Sequence, residues 1–410
     1  MPASTTTSMV LNHFTKNQAN DNGEDLERLT NECKELLLSL PREKGWRTAC
    51  LYKYKGFWCQ PKEIQAIISF QKHFEPRDTD VILASIPKSG TTWLKALSFA
   101  ILNRKKFAIS SNDHPLLVSN PHDLAPFFEY KLYADKQVPD LSKLPDPRLF
   151  ATHIPFASLQ DSIKKSNCRI IYICRNPFDT FISSWTFSNK LRSETVPPLL
   201  LEETFKMYCE GVVGFGPFWD HMLGYWKESL ERQDKVLFLK YEDMKADVTF
   251  YLKKIAKFLG CPFSMEEEKE GVVEKIASLC SFEKMKNLEV NKSGRSITNF
   301  ENKHLFRKAE VGDWVNYLSP SMVKQLSQLI EEKLGGSGIE FKVFPYTSTT
   351  PSTSPRLFAA HIPYSSLPES IKKSNCREVY IYRNPFNVVA SWFHFSNVEG
   401  EPEKLDEEYF

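Results

Sequence analysis

Apolar residues recur at helical spacing from Leu26 through Leu29, Leu36, Leu37 and Leu38, and Pro41 closes that segment. A second helical pattern runs through KEIQAIISFQKHFE, residues 62–75. Four short apolar runs follow, at 81–86, 149–152, 170–174 and 236–239. Runs this short and this apolar predict strands buried on both faces. Three of them lead closely into helical patterns, at 91–103, 177–189 and 244–259. Repeated strand–turn–helix units predict an α/β fold with a central, mostly parallel sheet flanked by helices. A last helix is expected over 320–334, with Pro320 in its first turn and Gly335-Gly336 at its end. The first 25 residues are rich in Ser, Thr, Asn and Gln and predict a disordered tail.

The chain closes on a repeat of itself. YTSTTPSTS, residues 346–354, reads as a Ser/Thr/Pro linker. After it, PRLFAAHIPYSSLPESIKKSNCREVYIYRNPFNVVASWFHFSN (355–397) matches PRLFATHIPFASLQDSIKKSNCRIIYICRNPFDTFISSWTFSN (147–189) without a gap. Identical residues occupy 28 of the 43 positions, and 15 differ. The copy holds one strand–helix unit and the strand before it, too little to close a core alone. The expected organisation is a tail at 1–25, a complete domain at 26–345, a linker at 346–354 and a truncated, non-functional repeat at 355–410. The repeat retains His361, Arg383 and Ser391 but has nothing equivalent to residues 81–103.

Composition narrows the classes. The 410 residues are 41% hydrophobic and 25% charged, so a disordered chain is excluded. Lys plus Arg number 53 against 51 Asp plus Glu, a net charge of +2. A nucleic-acid coat needs a clear basic excess, so no nucleic-acid partner is expected. Nine cysteines are scattered without CxxC pairs, which fits neither a zinc site nor a disulfide scaffold. No metal site is expected. The first thirty residues hold no apolar signal core, and no run approaches the roughly 18 apolar residues of a membrane span. A soluble cytoplasmic protein without a membrane partner is the expectation.

Residues 78–103, DTDVILASIPKSGTTWLKALSFAILN, carry the most chemistry. An apolar strand runs into Pro87-Lys88-Ser89-Gly90-Thr91-Thr92 and then directly into a helix. Glycine lets the backbone turn and approach a ligand. The free amides of a helix start, assisted by the helix dipole, face an anion there. Lys88 adds a full charge. The order differs from the Walker loop GxxxxGK[ST], because the lysine precedes the glycine.

This loop and the elements after it resemble the soluble sulfotransferases, in particular the plant-type cytosolic branch. The resemblance covers residues from about 26 to 344. It implies a P-loop NTPase-like three-layer fold and transfer of a sulfuryl group from 3′-phosphoadenylyl sulfate (PAPS) to a hydroxyl, with no metal. IPKSGTTW (86–93) matches the 5′-phosphosulfate loop, which assigns Lys88, Ser89, Gly90, Thr91, Thr92 and Trp93 to the donor. Lys88 would also neutralise charge on the leaving phosphate oxygen. His153 of Thr152-His153-Ile154-Pro155 matches the general base. Ala151 stands where many relatives carry a lysine. Arg175 and Ser183 match the 3′-phosphate clamp, which Arg307 and Lys308 of FRKAEVGDW (306–314) complete. Ala309 replaces the family glycine, which would cost affinity if that position needs a positive φ. Tyr241 and Phe282 match residues beside the nucleoside and over the adenine.

The acceptor implied is a small lipophilic hydroxyl compound, such as a flavonoid, a steroid or a hydroxyjasmonate. GFGPFWDHMLGYW (214–226) could line its pocket or form a core helix. His114, His122 and Phe127-Phe128 read as part of a lid. The family's dimer signature is not recognisable in 315–324, so a homodimer stays open without a motif behind it. Two other readings stand beside the enzyme: a non-catalytic nucleotide-binding relative, and a P-loop nucleotide kinase.

Overall fold

A computed structural model of the chain describes residues 29–135, 138–192, 197–297 and 301–341. They belong to the first of the two units into which the chain divides, Met1–Tyr346 and Thr347–Phe410. The expected tail at 1–25, the linker at 346–354 and the repeat at 355–410 lie outside the described residues.

The described residues form two sheets. β1 (Arg42–Lys44), β2 (Cys50–Tyr54) and β3 (Phe57–Cys59) form a small antiparallel sheet. β4 (Val81–Ala84), β5 (Leu149–Thr152), β6 (Arg169–Cys174) and β7 (Val236–Lys240) form a parallel sheet in the order β5-β4-β6-β7. The four predicted apolar runs are these four strands. Successive side chains leave a strand on opposite faces, and both faces are covered. Ile82, Phe150, Ile170 and Tyr172 enter one apolar core. Their neighbours Val81, Leu149, Ile171 and Ile173 enter the other.

The longer helices fill these two layers. α1 (Asn31–Ser39), α2 (Pro61–His73), α4 (Pro177–Leu191), α5 (Leu201–Cys209), α6 (Phe218–Glu231) and α9 (Pro320–Leu334) contribute to the first core. α3 (Thr91–Asn103), α7 (Val248–Phe258) and α8 (Val272–Leu279) contribute to the second. The result is the expected α/β arrangement of three layers.

Several boundaries differ from expectation. The run at 81–86 stops being strand at Ala84, because Ser85 and Ile86 begin the turn into the loop. The helix expected at 244–259 is two, Tyr241–Ala246 and α7, parted by Asp247. The Asp247 carboxylate accepts the Phe250 N–H at 2.9 Å and restarts the helix as its cap. The antiparallel sheet went unpredicted, although Lys55 and Gly56 both have positive φ and form the two-residue turn typical of a hairpin.

Strand register positions the site. Ala84 pairs with Thr152 on one side and Tyr172 on the other. The residues just past these pairs, Ser85 and His153, therefore emerge side by side at the carboxyl edge of the sheet, where open α/β sheets bind ligands.

Candidate active site

The loop between β4 and α3 is held in an unusual backbone shape. Gly90 caps α3 in the left-handed region, with φ 106° and ψ 16°. A Cβ at this position would stand 2.7 Å from Tyr241 Cδ2, so glycine is required twice over. Lys88 also has positive φ, 72°. For a non-glycine residue this is strain of the kind that collects at functional sites, on the order of 1–3 kcal/mol. The first intrahelical bond runs from Leu94 N–H to the Gly90 carbonyl at 3.0 Å, leaving the amides of Thr91, Thr92 and Trp93 ahead of it. The Ser89 hydroxyl is buried and has no partner. Ser85 Oγ and Thr91 Oγ1 are 2.6 Å apart and tie the loop to the first turn.

A second anion-directed cluster faces the loop. Arg175 follows the last residue of β6. Its guanidinium lies 4.6 Å from the Tyr241 ring centroid and 3.6 Å from Asp179, and it donates to the Glu310 carbonyl. Its Nε is buried without a partner. Asp179 accepts from the Gly312 N–H at 2.7 Å and the Trp314 N–H at 3.2 Å, which staples the late loop to α4. Buried Asp313 takes Arg307 on one oxygen and Lys308 on the other, the latter at 2.8 Å. Ala309 sits in the left-handed region with φ 57°, and its carbonyl accepts the Tyr241 hydroxyl at 3.1 Å. Trp93 and Tyr241 meet edge to face at 5.6 Å, and Phe282 lies 6.3 Å from Phe306.

His153 is clamped from three directions. Its backbone N–H donates to Glu129 Oε1 at 2.6 Å. Its carbonyl accepts from His221 Nε2 at 2.8 Å, while His221 Nδ1 accepts the Tyr172 hydroxyl at 3.0 Å. Its ring Nδ1 lies 2.6 Å from the Ser85 carbonyl. A carbonyl only accepts, so Nδ1 carries the proton and Nε2 is left as the accepting atom. His153 is only 6% exposed, and its ring packs 4.7 Å from Phe127 and 5.5 Å from Phe215. Burial, reinforced by Lys95, His221 and Arg47, pushes its pKa down to about 3, so the neutral ring is the standing form. Burial raises the Glu129 carboxyl to about 7. Burial also lowers the Lys88 ammonium to about 7, helped by Arg307, Arg47, Arg175 and Lys190. Lys88 Nζ rests 3.7 Å over the Phe187 ring. An anion among these cations would restore the charge of Lys88.

One cavity of about 380 Å³ joins these parts. Lys88, Gly90, Thr91, Thr92, Trp93, His153, Arg175, Ser183, Tyr241, Phe282, Arg307 and Ala309 all line it. Two expected donor residues do not. Ser89 is buried beneath the loop, and Lys308 turns to Asp313. Of 214–226, Gly214 and Phe215 reach the cavity, while α6 is a core helix.

His114, His122 and Phe127-Phe128 are the residues expected in a lid. All four are buried, and Phe127 pairs with Ala151 as an extension of the sheet. Phe128 packs 5.1 Å from Phe150 of β5 and His114 6.3 Å from Phe99 of α3, while His122 is within hydrogen-bond distance of Thr92 and Lys95 of α3. Trp46, Arg47, Glu63 and Tyr130 also line the cavity and were missed. Each comes from a segment with no motif, and only Glu63 falls within an element the sequence predicts, the helix over 62–75.

Comparison with known proteins agrees with this geometry. A family model described as "Sulfotransferase domain" matches residues 78–338 and again 345–410. Cytosolic sulfotransferase 15 of Arabidopsis thaliana is 63% identical over 322 residues, covering 78% of this chain and 90% of that protein. Cytosolic sulfotransferase 14 of the same plant is 61% identical over 325 residues, covering 78% and 94%. Among solved structures, a putative steroid sulphotransferase of Arabidopsis thaliana superposes with a TM-score of 0.62 at 43% identity, covering 79% of this chain and 99% of the other. Mouse sulfotransferase SULT7A1 complexed with PAP superposes at 0.55 with 28% identity, covering 70% and 95%. The chain belongs to the sulfotransferase family, and it is an enzyme of the PAPS-dependent sulfotransferase class. No helix among the described residues is long and apolar enough to cross a membrane.

Proposed function

We propose that the chain transfers the sulfuryl group of PAPS to a hydroxyl of a small lipophilic acceptor, with His153 as general base and Lys88 at the leaving phosphate oxygen. The observation that carries this is the shared cavity. The accepting Nε2 of a neutral, clamped His153 and the strained loop 87–92 belong to one space, joined through Ser85.

The residues present suit the donor. Free helix amides and Lys88 meet the phosphosulfate end. Arg175, with an unpartnered Nε, and Arg307 meet a phosphate at the other end. Guanidinium forks suit phosphate oxygens better than a lysine would. Trp93, Phe282 and Tyr241 give the base a flat apolar slot.

Chemistry follows from placement. His153 Nε2 takes the hydroxyl proton as the acceptor oxygen bonds to sulfur, and the bond from sulfur to the phosphate oxygen breaks. The products are a sulfate ester and adenosine 3′,5′-bisphosphate (PAP). Lys88 offsets charge on the departing oxygen. A loose transition state of this kind is stabilised by positioning and fixed donors.

Apolar walls from Phe127, Tyr130, Val213 and Phe215 support a lipophilic acceptor of flavonoid, steroid or hydroxyjasmonate type. The solved relative described as a putative steroid sulphotransferase supports the steroid among these. A cytoplasmic location follows from relatives named cytosolic. The repeat at 355–410 is inactive in this reading, because no phosphate loop precedes it.

A screen of hydroxylated acceptors with ³⁵S-labelled PAPS tests the function. Label in at least one acceptor is expected. PAP binding without transfer to any acceptor would favour a non-catalytic relative, and stabilisation by ATP–Mg²⁺ alone would favour a nucleotide kinase.

A further inference from the structure

Lys95 stands on α3 one turn beyond the phosphate loop and is fully buried. Lysine is almost never fully buried without an ionic partner. This one is matched with a histidine and a ring instead. Its Nζ lies 2.8 Å from His122 Nδ1 and 3.2 Å from the Phe127 ring centroid. Burial pushes the Lys95 pKa well below its usual range, so its charge at this spot is part of the proposal; in the charged form it has three donors and no acceptor. The negative ring face of Phe127 likewise takes N–H and disfavours a lone pair. A charged Lys95 makes His122 Nδ1 the acceptor, and the single ring proton of neutral His122 then sits on Nε2.

That nitrogen lies 3.0 Å from Thr92 Oγ1. The Thr92 oxygen receives the Nε2–H, and its own hydrogen is left to donate elsewhere. Thr92 is the second residue of α3 and lines the cavity. The plane of His122 is fixed as well, because the Phe127 ring stacks on it at 5.2 Å and 20°. Asn120 Oδ1 also accepts the His122 backbone N–H at 2.9 Å.

We propose that Lys95 and His122 are positioning residues for the sulfuryl donor. Lys95 fixes His122 as the Nε2–H tautomer, and His122 turns the Thr92 hydroxyl hydrogen into the cavity, toward the anionic 5′ end of the donor. The proposal rests on the donor reading given above. Without the Lys95 N–H, the imidazole is free to carry its proton on Nδ1. Nε2 would then accept from Thr92, and the hydroxyl would present lone pairs to an anion.

The test is a double-mutant cycle in the full chain, with PAP as the probe and calorimetry as the readout. Lys95→Met and Thr92→Val are each expected to weaken PAP binding by about tenfold, the loss of one hydrogen bond to a charged group. Combined, they are expected to fall within twofold of Thr92→Val alone, because Lys95 acts through Thr92. Losses that multiply would make Lys95 a packing residue and overturn the proposal. A second measurement needs no variant. Long-range ¹H–¹⁵N correlations of ¹⁵N-histidine-labelled protein are expected to show His122 protonated at Nε2 and bare at Nδ1. The reverse tautomer overturns the proposal even if Lys95→Met does not fold. Should the unaltered chain fail to bind PAP, the donor reading falls, while the tautomer still decides the relay.

Discussion

The two ends of the cavity, donor and acceptor in the proposed reading, are built by different means. At the donor end, the loop 87–92 and Arg175 each sit where a strand of the sheet turns into a helix, within two strand–turn–helix units. Backbone amides, a glycine in the left-handed region and a few cations form the grip there. At the acceptor end, the wall around His153 is assembled from Trp46, Glu63, Phe127, Tyr130 and Phe215, which come from widely separated parts of the chain. The donor grip is thus a property of local backbone geometry. The acceptor wall is a property of tertiary packing. A change at one end is expected to leave the other nearly untouched, and the predictions below test that separation.

The largest effect is expected at His153. His153→Ala removes the accepting Nε2 and should lower turnover by about 10²–10⁴. PAP affinity should stay within about twofold, because the loop amides, Arg175 and Arg307 are intact. Steady-state kinetics with PAP titrations on the same preparation check both. Unchanged turnover removes His153 from the chemistry. A tenfold loss of PAP affinity would show that the two ends are one unit.

Gly90→Ala attacks the other end. The methyl would stand 2.7 Å from Tyr241 Cδ2 in a backbone with φ 106°. An L-residue in the left-handed region costs roughly 1–2 kcal/mol, and the Tyr241 ring must also shift. That ring stands against the Arg175 guanidinium and its hydroxyl holds the Ala309 carbonyl. The KM for PAPS should rise by about tenfold or more, with the KM for the acceptor little changed. An equal rise in both would erase the distinction.

What the sequence made legible follows the same division. The donor end was readable because its parts are contiguous: apolar strand, Pro-Lys-Ser-Gly-Thr-Thr, amphipathic helix. Even the doubt over Ala309 was well placed, since the position does take φ 57°. Ser89 and Lys308 do not line the cavity, because a motif names residues without saying which way each side chain turns. Arg47, Glu63 and Tyr130 were not readable at all. They enter the cavity from the β1–β2 connection, α2 and the short turn Phe128–Leu132, and no local pattern in those segments points to a cavity. Glu129 and His221 fix the His153 backbone from positions 24 and 68 residues away.

The pH responses of the two ends should also diverge, with a smaller effect. Burial holds His153 at about 3, so its accepting form persists as pH falls. Turnover at saturating donor should stay flat from pH 7.5 to 5.5. A base of ordinary pKa near 6.5 would lose about tenfold by pH 5.5. Lys88 is lowered to about 7, so in the free enzyme its charge is present below pH 7 and is lost above it. Donor affinity should therefore weaken as pH climbs from 7 to 9, by up to about tenfold per unit if PAP binds only the charged form. Acid sensitivity of turnover with alkaline-stable PAP binding would reverse both assignments.

The smallest expected effect tests how finely the donor end is set. Ala309 carries φ 57°, a conformation that costs an L-residue roughly 1–2 kcal/mol relative to glycine. Glycine in turn loses more freedom on folding, which offsets roughly 0.5–1 kcal/mol of that relief. Ala309→Gly should therefore raise stability by about 1 kcal/mol or less, an increase of a degree or two in melting temperature. The Ala309 carbonyl accepts from Tyr241, and the Glu310 carbonyl beside it accepts from Arg175. Relaxing this turn adjusts both groups together, so PAP should bind up to a few-fold tighter with the acceptor KM unmoved. Calorimetry and differential scanning on the single variant decide it. A lower melting temperature would mean that the Ala309 methyl is well packed and that its backbone strain is already offset by contact.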